Sequence, residues 1–143
     1  MTNAPHRDLP YDAASTWVAA LAAIVFLGLG LRALLQPLGA SGFFGVPLDG
    51  GDGLAFVQVF GARNIGLSLV GLALIVLDSR LGLAAVFFAA ALIAGMDFSV
   101  VASYVGAPRA AKHLLYVVAL AGFGLWFARR PARHALPVAA REG

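Results

Sequence analysis

The sequence predicts an all-α membrane protein, a bundle of four transmembrane helices, on three observations. Of its 143 residues 61% are hydrophobic and only 12% charged, with a mean hydropathy of +0.88. That is more apolar surface than a soluble domain of this length can bury. Charges are absent from residues 13–31, 64–77, 81–96, 98–108 and 114–128, and the breaks between the apolar runs fall at proline, at glycine or at one or two charged residues.

A bilayer core about 30 Å thick needs roughly 20 apolar residues at about 1.5 Å each. The first span is predicted over about 15–35, closed by Gln36-Pro37, because proline lacks a backbone donor and disfavours helix at the residue before it. It is too long for a signal-peptide core, and three more apolar segments follow it. The second span covers about 54–77 and ends at Asp78-Ser79-Arg80. The third covers about 81–105, stopped by Gly106-Ala107-Pro108, and the fourth covers about 111–128. Residues 1–14 form an N-terminal segment and 129–143 a basic tail. The stretch 37–53, rich in glycine, reads as the only sizeable non-helical segment, an outer loop that could cap the bundle, with Phe43 and Phe44 at headgroup level.

Orientation follows from lysine and arginine. Arg7, Arg80, Arg129, Arg130, Arg133 and Arg141 share one face of a four-span chain, against Arg109 and Lys112 on the other. The excess places both termini in the cytoplasm, in a cell inner membrane. The tail arginines read as a topology signal or a contact with anionic lipid, and no nucleic-acid partner is expected.

Arg63 and Asp97 interrupt spans that would be too short without them, so both lie in the membrane or at its edge. Counting from the outer ends puts them at matching depth, about 12 to 14 Å in. Unpaired, each costs at least about 2.5 kcal/mol at mid-membrane, so mutual pairing is the natural solution. Arg32, Gln58, Tyr104, His113 and Tyr116 fall in the same outer half, while the inner half is nearly pure aliphatic. These residues, with Arg63, Asn64 and Asp97, form the candidate ligand-binding set. In the blander alternative, Arg63 and Asp97 only fix helix register while Arg32 and His113 snorkel to the headgroups.

Two stripes of small residues, Gly61, Asn64, Ser68 and Gly71 in the second span and Ala91, Gly95, Ser99 and Ser103 in the third, read as helix contacts, within one chain or in a homo-oligomer. Without cysteine there is no disulfide, thiolate or iron–sulfur chemistry. Histidines at 6, 113 and 134 do not make a metal site, and no cofactor is expected. Gly28-Leu-Gly30-Leu-Arg-Ala33 imitates a dinucleotide fingerprint, but a membrane helix without a preceding strand gives its glycines no such role.

The order Gly42-Phe-Phe-Gly-Val-Pro47, Gly61-Ala-Arg-Asn-Ile-Gly66, Gly95-Met-Asp97 and then a histidine opening the last span resembles an uncharacterised bacterial and fungal family of small four-helix membrane proteins, broadly DoxX-like. The resemblance covers about 17–128 and implies fold and topology rather than a reaction. It also implies that Arg63, Asp97 and His113 work together. The family's pattern tends to an acidic residue where Asn64 stands, which puts more weight on Asp97 as the partner of Arg63.

Four functions compete. The first is binding of a small lipophilic or amphipathic molecule in the outer half. The second is an isomerase, cyclase or hydrolase in which Asp97, Arg63 and His113 are catalytic and Asp97 moves a proton. An accessory subunit of a larger complex and a small transporter follow. The lipid bilayer is the one partner that all four require.

Overall fold

The computed structural model describes Leu9 and residues 14–129. Among them lie five helices: α1 (Ala14–Leu35), α2 (Pro37–Phe44), α3 (Gly53–Val76), α4 (Arg80–Val105) and α5 (Ala107–Arg129). The four long ones have 22, 24, 26 and 23 residues and are apolar enough to cross a membrane. At about 1.5 Å per residue each exceeds the hydrocarbon thickness. The chain is thus a multi-pass membrane protein built as a four-helix bundle.

Two boundaries differ from the sequence reading. The segment 37–53 is not wholly irregular, because its first eight residues form α2. Pro37 occupies the start of that helix, where a missing N–H costs nothing and the fixed φ is already helical. Gly45 ends it at φ +121°, in the region open to glycine. The fourth span begins four residues earlier than the predicted Ala111, since Gly106 alone turns the chain at φ +88°. Pro108 lies inside the first turn of α5, which tolerates it for the same reason as Pro37.

The helices pack as two pairs, α1 with α3 and α4 with α5, and the backbones of one pair approach those of the other far less closely. In the first pair the contact is backbone on backbone. A Cβ on Gly30 would lie 2.7 Å from the Gly61 carbonyl oxygen, and one on Gly61 would lie 2.7 Å from the Gly30 oxygen. The face of α3 carrying Gly61, Asn64, Ser68 and Gly71 is buried throughout, which gives that stripe its packing role. In the second pair an aromatic side chain fills the gap, with Phe88 seated against Gly124. Of the predicted α4 stripe Ala91 is buried, whereas Ser99 and Ser103 are exposed and bond to carbonyls of their own helix at 3.2 and 2.7 Å.

At the turn between α3 and α4, Ser79 caps α4 by accepting from the Gly82 N–H at 3.3 Å. Asp78 accepts from the Leu9 N–H at 2.6 Å, and the Arg80 guanidinium donates to the Phe127 carbonyl at 2.9 Å. This end is more aromatic than the aliphatic reading expected. Phe127 is fully buried, stacked on Phe87 at 5.5 Å and 11° with Trp126 against it at 5.4 Å. Arg7, Arg130, Arg133 and Arg141 lie outside the described residues.

Candidate functional site

Between the two helix pairs lies a cavity of about 540 Å3, to which all five helices contribute. Each long helix offers one stripe at three- and four-residue spacing, as a single helical face must. On α1 it runs Val18, Leu21, Val25, Leu29, Arg32, and on α5 Lys112, Tyr116, Ala119, Phe123. The α3 stripe carries Phe60, Arg63, Asn64 and Leu67, and the α4 stripe Phe87, Ala90, Ala94 and Asp97. Every stripe is apolar in its depth and polar at the α2 end. The result is an elongated apolar chamber with a polar mouth.

Arg63 and Asp97 meet at that mouth, with a guanidinium nitrogen 3.4 Å from a carboxylate oxygen. This contact joins α3 to α4 and therefore one helix pair to the other. The Arg63 guanidinium also lies over the Phe60 ring, 4.9 Å from its centroid, a favourable cation–π placement.

The mouth is roofed by α2, whose Ala40, Phe43 and Phe44 line the cavity. The last carbonyls of a helix have no partner within it, and here α5 supplies them. Lys112 donates to the Phe43 carbonyl, and His113 Nε2 lies 2.9 Å from the Phe44 carbonyl. A carbonyl only accepts, so Nε2 carries the hydrogen. His113 is buried, with its ring edge-on to Phe44 at 5.1 Å and Tyr116 at 5.9 Å. Gly45 fits between the Val101 and Lys112 side chains, where a Cβ would come within 3.1 Å of Val101. Behind it Ser41 closes the turn, taking the Leu48 N–H at 3.1 Å and donating to the Leu38 carbonyl at 2.7 Å.

Of the residues singled out in the sequence, the structure brings Arg32, Arg63, Asn64, Asp97, His113 and Tyr116 to the cavity wall. Gln58 is elsewhere, with its amide nitrogen 3.4 Å from the Leu34 carbonyl at the end of α1. Five residues before Arg63, it is rotated about 140° around the helix. Tyr104 is 76% exposed; at its height the chain around Gly45 occupies the inner side of α4 through Val101. Sequence reasoning missed Lys112, Phe43, Phe44 and Phe60 as wall residues. Helical spacing held the signal for Lys112, which precedes Tyr116 by four residues.

The family model of a domain of unknown function, DUF4267, matches residues 23–127. The chain belongs to that family. Neither curated proteins nor solved structures give a significant match. The matched stretch contains most of the α1 wall, the whole of α2 through α4 and α5 as far as Phe127, so it includes every polar residue of the mouth. Chemically the mouth offers one ion-paired carboxylate, two further cations, a phenol and an imidazole that donates into the roof. Among the described residues no group of three potential metal ligands gathers.

Proposed function

We propose that this DUF4267 protein binds a small lipophilic or amphipathic molecule in the chamber between its two helix pairs. One observation carries the reading: a cavity of about 540 Å3, within the range that holds small ligands, with apolar depth and polar groups converging at one end. A bundle needing only a register-fixing ion pair would close on it. In this reading Arg63, Asp97, Asn64, His113, Tyr116 and Arg32 face the polar part of the ligand. Gln58 and Tyr104 are left out of the site.

The α2 end is the outer face of a cytoplasmic membrane and both termini are inside, an orientation supported by the lysine and arginine excess on the opposite face. The fold is DoxX-like in this reading, supported by the order of the glycine-rich, Gly-Ala-Arg and aspartate segments across four spans. Superposition of an experimental structure on a DoxX protein tests that kinship, and divergent helix order would refute it. The absence of cysteine makes orientation directly measurable. Asp49→Cys, at an exposed position of the same loop, should react with an impermeant maleimide from outside intact cells, and labelling only after lysis would invert the assignment.

Binding is tested with a long-chain alcohol bearing a diazirine, equilibrated with the protein in phosphatidylcholine vesicles and irradiated. Adducts should concentrate on Leu67, Ile93 and Phe123 and be lost in Ala119→Trp, which fills space at the wall. Adducts confined to the outward-facing Leu92, Leu115 and Val118, unchanged by the filler, would sink the reading.

A further inference from the structure

The charge at the mouth selects among lipophiles. Four charged side chains line the cavity: Arg32 from α1, Arg63 from α3, Asp97 from α4 and Lys112 from α5. Arg63 and Asp97 offset one another at 3.4 Å. Arg32 and Lys112 form no ion pair among the described residues. Both cations lie against the Phe43 ring, 5.5 and 5.3 Å from its centroid, and Lys112 also donates to the Phe43 carbonyl. His113 Nε2 is committed to the Phe44 carbonyl, so it adds a donor to the roof and no counter-charge.

Two positive charges therefore remain without a carboxylate at the mouth of a chamber whose depth is hydrocarbon. Both face the apolar chamber, and on that side their field is screened less than in bulk water. The complementary occupant carries a negative head. Its apolar part is bounded as well, because the α1 wall from Arg32 to Val18 spans fourteen residues, or about 21 Å. A volume of about 540 Å3 spread over that length leaves a narrow section, suited to one chain lying along the bundle axis rather than to the two chains of a phospholipid.

We propose that the chamber takes an anionic single-chain amphiphile, its carboxylate or phosphate monoester head held by Arg32 and Lys112 across Phe43 and its chain running down toward Phe87 and Phe123. This rests on the reading that the chamber holds a lipophile at all, and the neutral alcohol probe keeps the two claims separable. The Arg63–Asp97 pair faces the same polar head and is neutral overall, so it leaves the excess positive charge to Arg32 and Lys112.

The experiment compares three diazirine probes of equal chain length, an alcohol, a fatty acid and a monoalkyl phosphate, in phosphatidylcholine vesicles, with adducts counted on Leu67, Ile93 and Phe123. The anionic probes should label at least about tenfold more efficiently than the alcohol, the scale of one charge-assisted hydrogen bond. Whichever anion labels better identifies the head as carboxylate or phosphate. Arg32→Gln and Lys112→Gln should each remove most of that preference, read within each variant as the ratio of anionic to alcohol labelling. Lys112→Arg, which keeps the charge and the donor to the roof, should retain it, which separates a charge effect from damage to α2. Equal labelling by all three probes, or a preference that survives both glutamine variants, overturns the anion assignment and leaves the lipophile reading standing. A chamber that no probe labels overturns both.

Discussion

The two helix pairs reach close packing by opposite means. Where α1 crosses α3, glycine faces glycine and the backbones nearly touch, with carbonyl oxygens at the positions a Cβ would take. Where α4 lies along α5, the helices are joined by large rings, Phe88 in the notch of Gly124 and, toward the far end, Phe87 stacked on Phe127 and tilted against Phe123. In a bilayer, association draws on contact area rather than on expulsion of water. A glycine crossing gains it by shortening the distance between axes, and an aromatic seam by filling a wider gap. The first tolerates no added atom, and the second no lost one.

The sharpest way to break that contrast is to empty the aromatic seam. Phe127→Ala should cost about 4 kcal/mol, the scale of a buried aromatic deletion, read as a lowered midpoint of denaturation in mixed micelles. Phe127→Leu should restore most of it; equal losses would show that ring geometry, and not the filling of a gap, holds this seam.

Next in size is the contact that bridges the pairs. Arg63→Leu alone leaves Asp97 in the membrane without its partner and should destabilise by about 2.5 kcal/mol, whereas adding Asp97→Leu should return most of the loss, since neither charge then has to be accommodated. A double variant no better than the single would show that the two side chains stabilise independently.

The smallest effect belongs to the glycine crossing. Gly61→Ala, whose methyl meets backbone rather than a flexible side chain, should cost about 2 kcal/mol by overpacking. Gly28→Ala, with nothing within 4 Å of the added carbon, should be neutral or slightly stabilising, since alanine is the better helix former. If the two variants match, close approach at Gly61 has been overstated.

How much of this the sequence held depends on the scale asked about. Four crossings were legible because charge-free runs and proline or glycine breaks are properties of single segments. The equal depth of Arg63 and Asp97 was legible too, since helical rise converts residue number into distance. The helix α2 was hidden by Gly39 and Gly42, which read as turns although neither takes a positive φ, unlike Gly45, Gly50 and Gly51 after it. The pairing was hidden more deeply. A span apolar on every face gives no contrast between a neighbouring helix and lipid, and small residues were an uneven guide, buried along α3 but exposed at Ser99 and Ser103. The roof contacts from Lys112 and His113 to the Phe43 and Phe44 carbonyls join residues 69 apart to main-chain atoms. No side-chain pattern announces an acceptor that every residue carries.

The uneven packing also has a thermodynamic consequence. Each pair is internally close-packed while the seam between them is held at few places, so separation of one pair from the other is the softest motion available to the fold. An occupant lying in the seam touches both pairs, and its binding free energy adds to theirs. At one hundred times its dissociation constant it would contribute about 2.7 kcal/mol to cohesion, comparable with the ion pair. Resistance to denaturation should therefore rise with the logarithm of ligand concentration, which makes the melting curve of the bundle a measure of its own saturation.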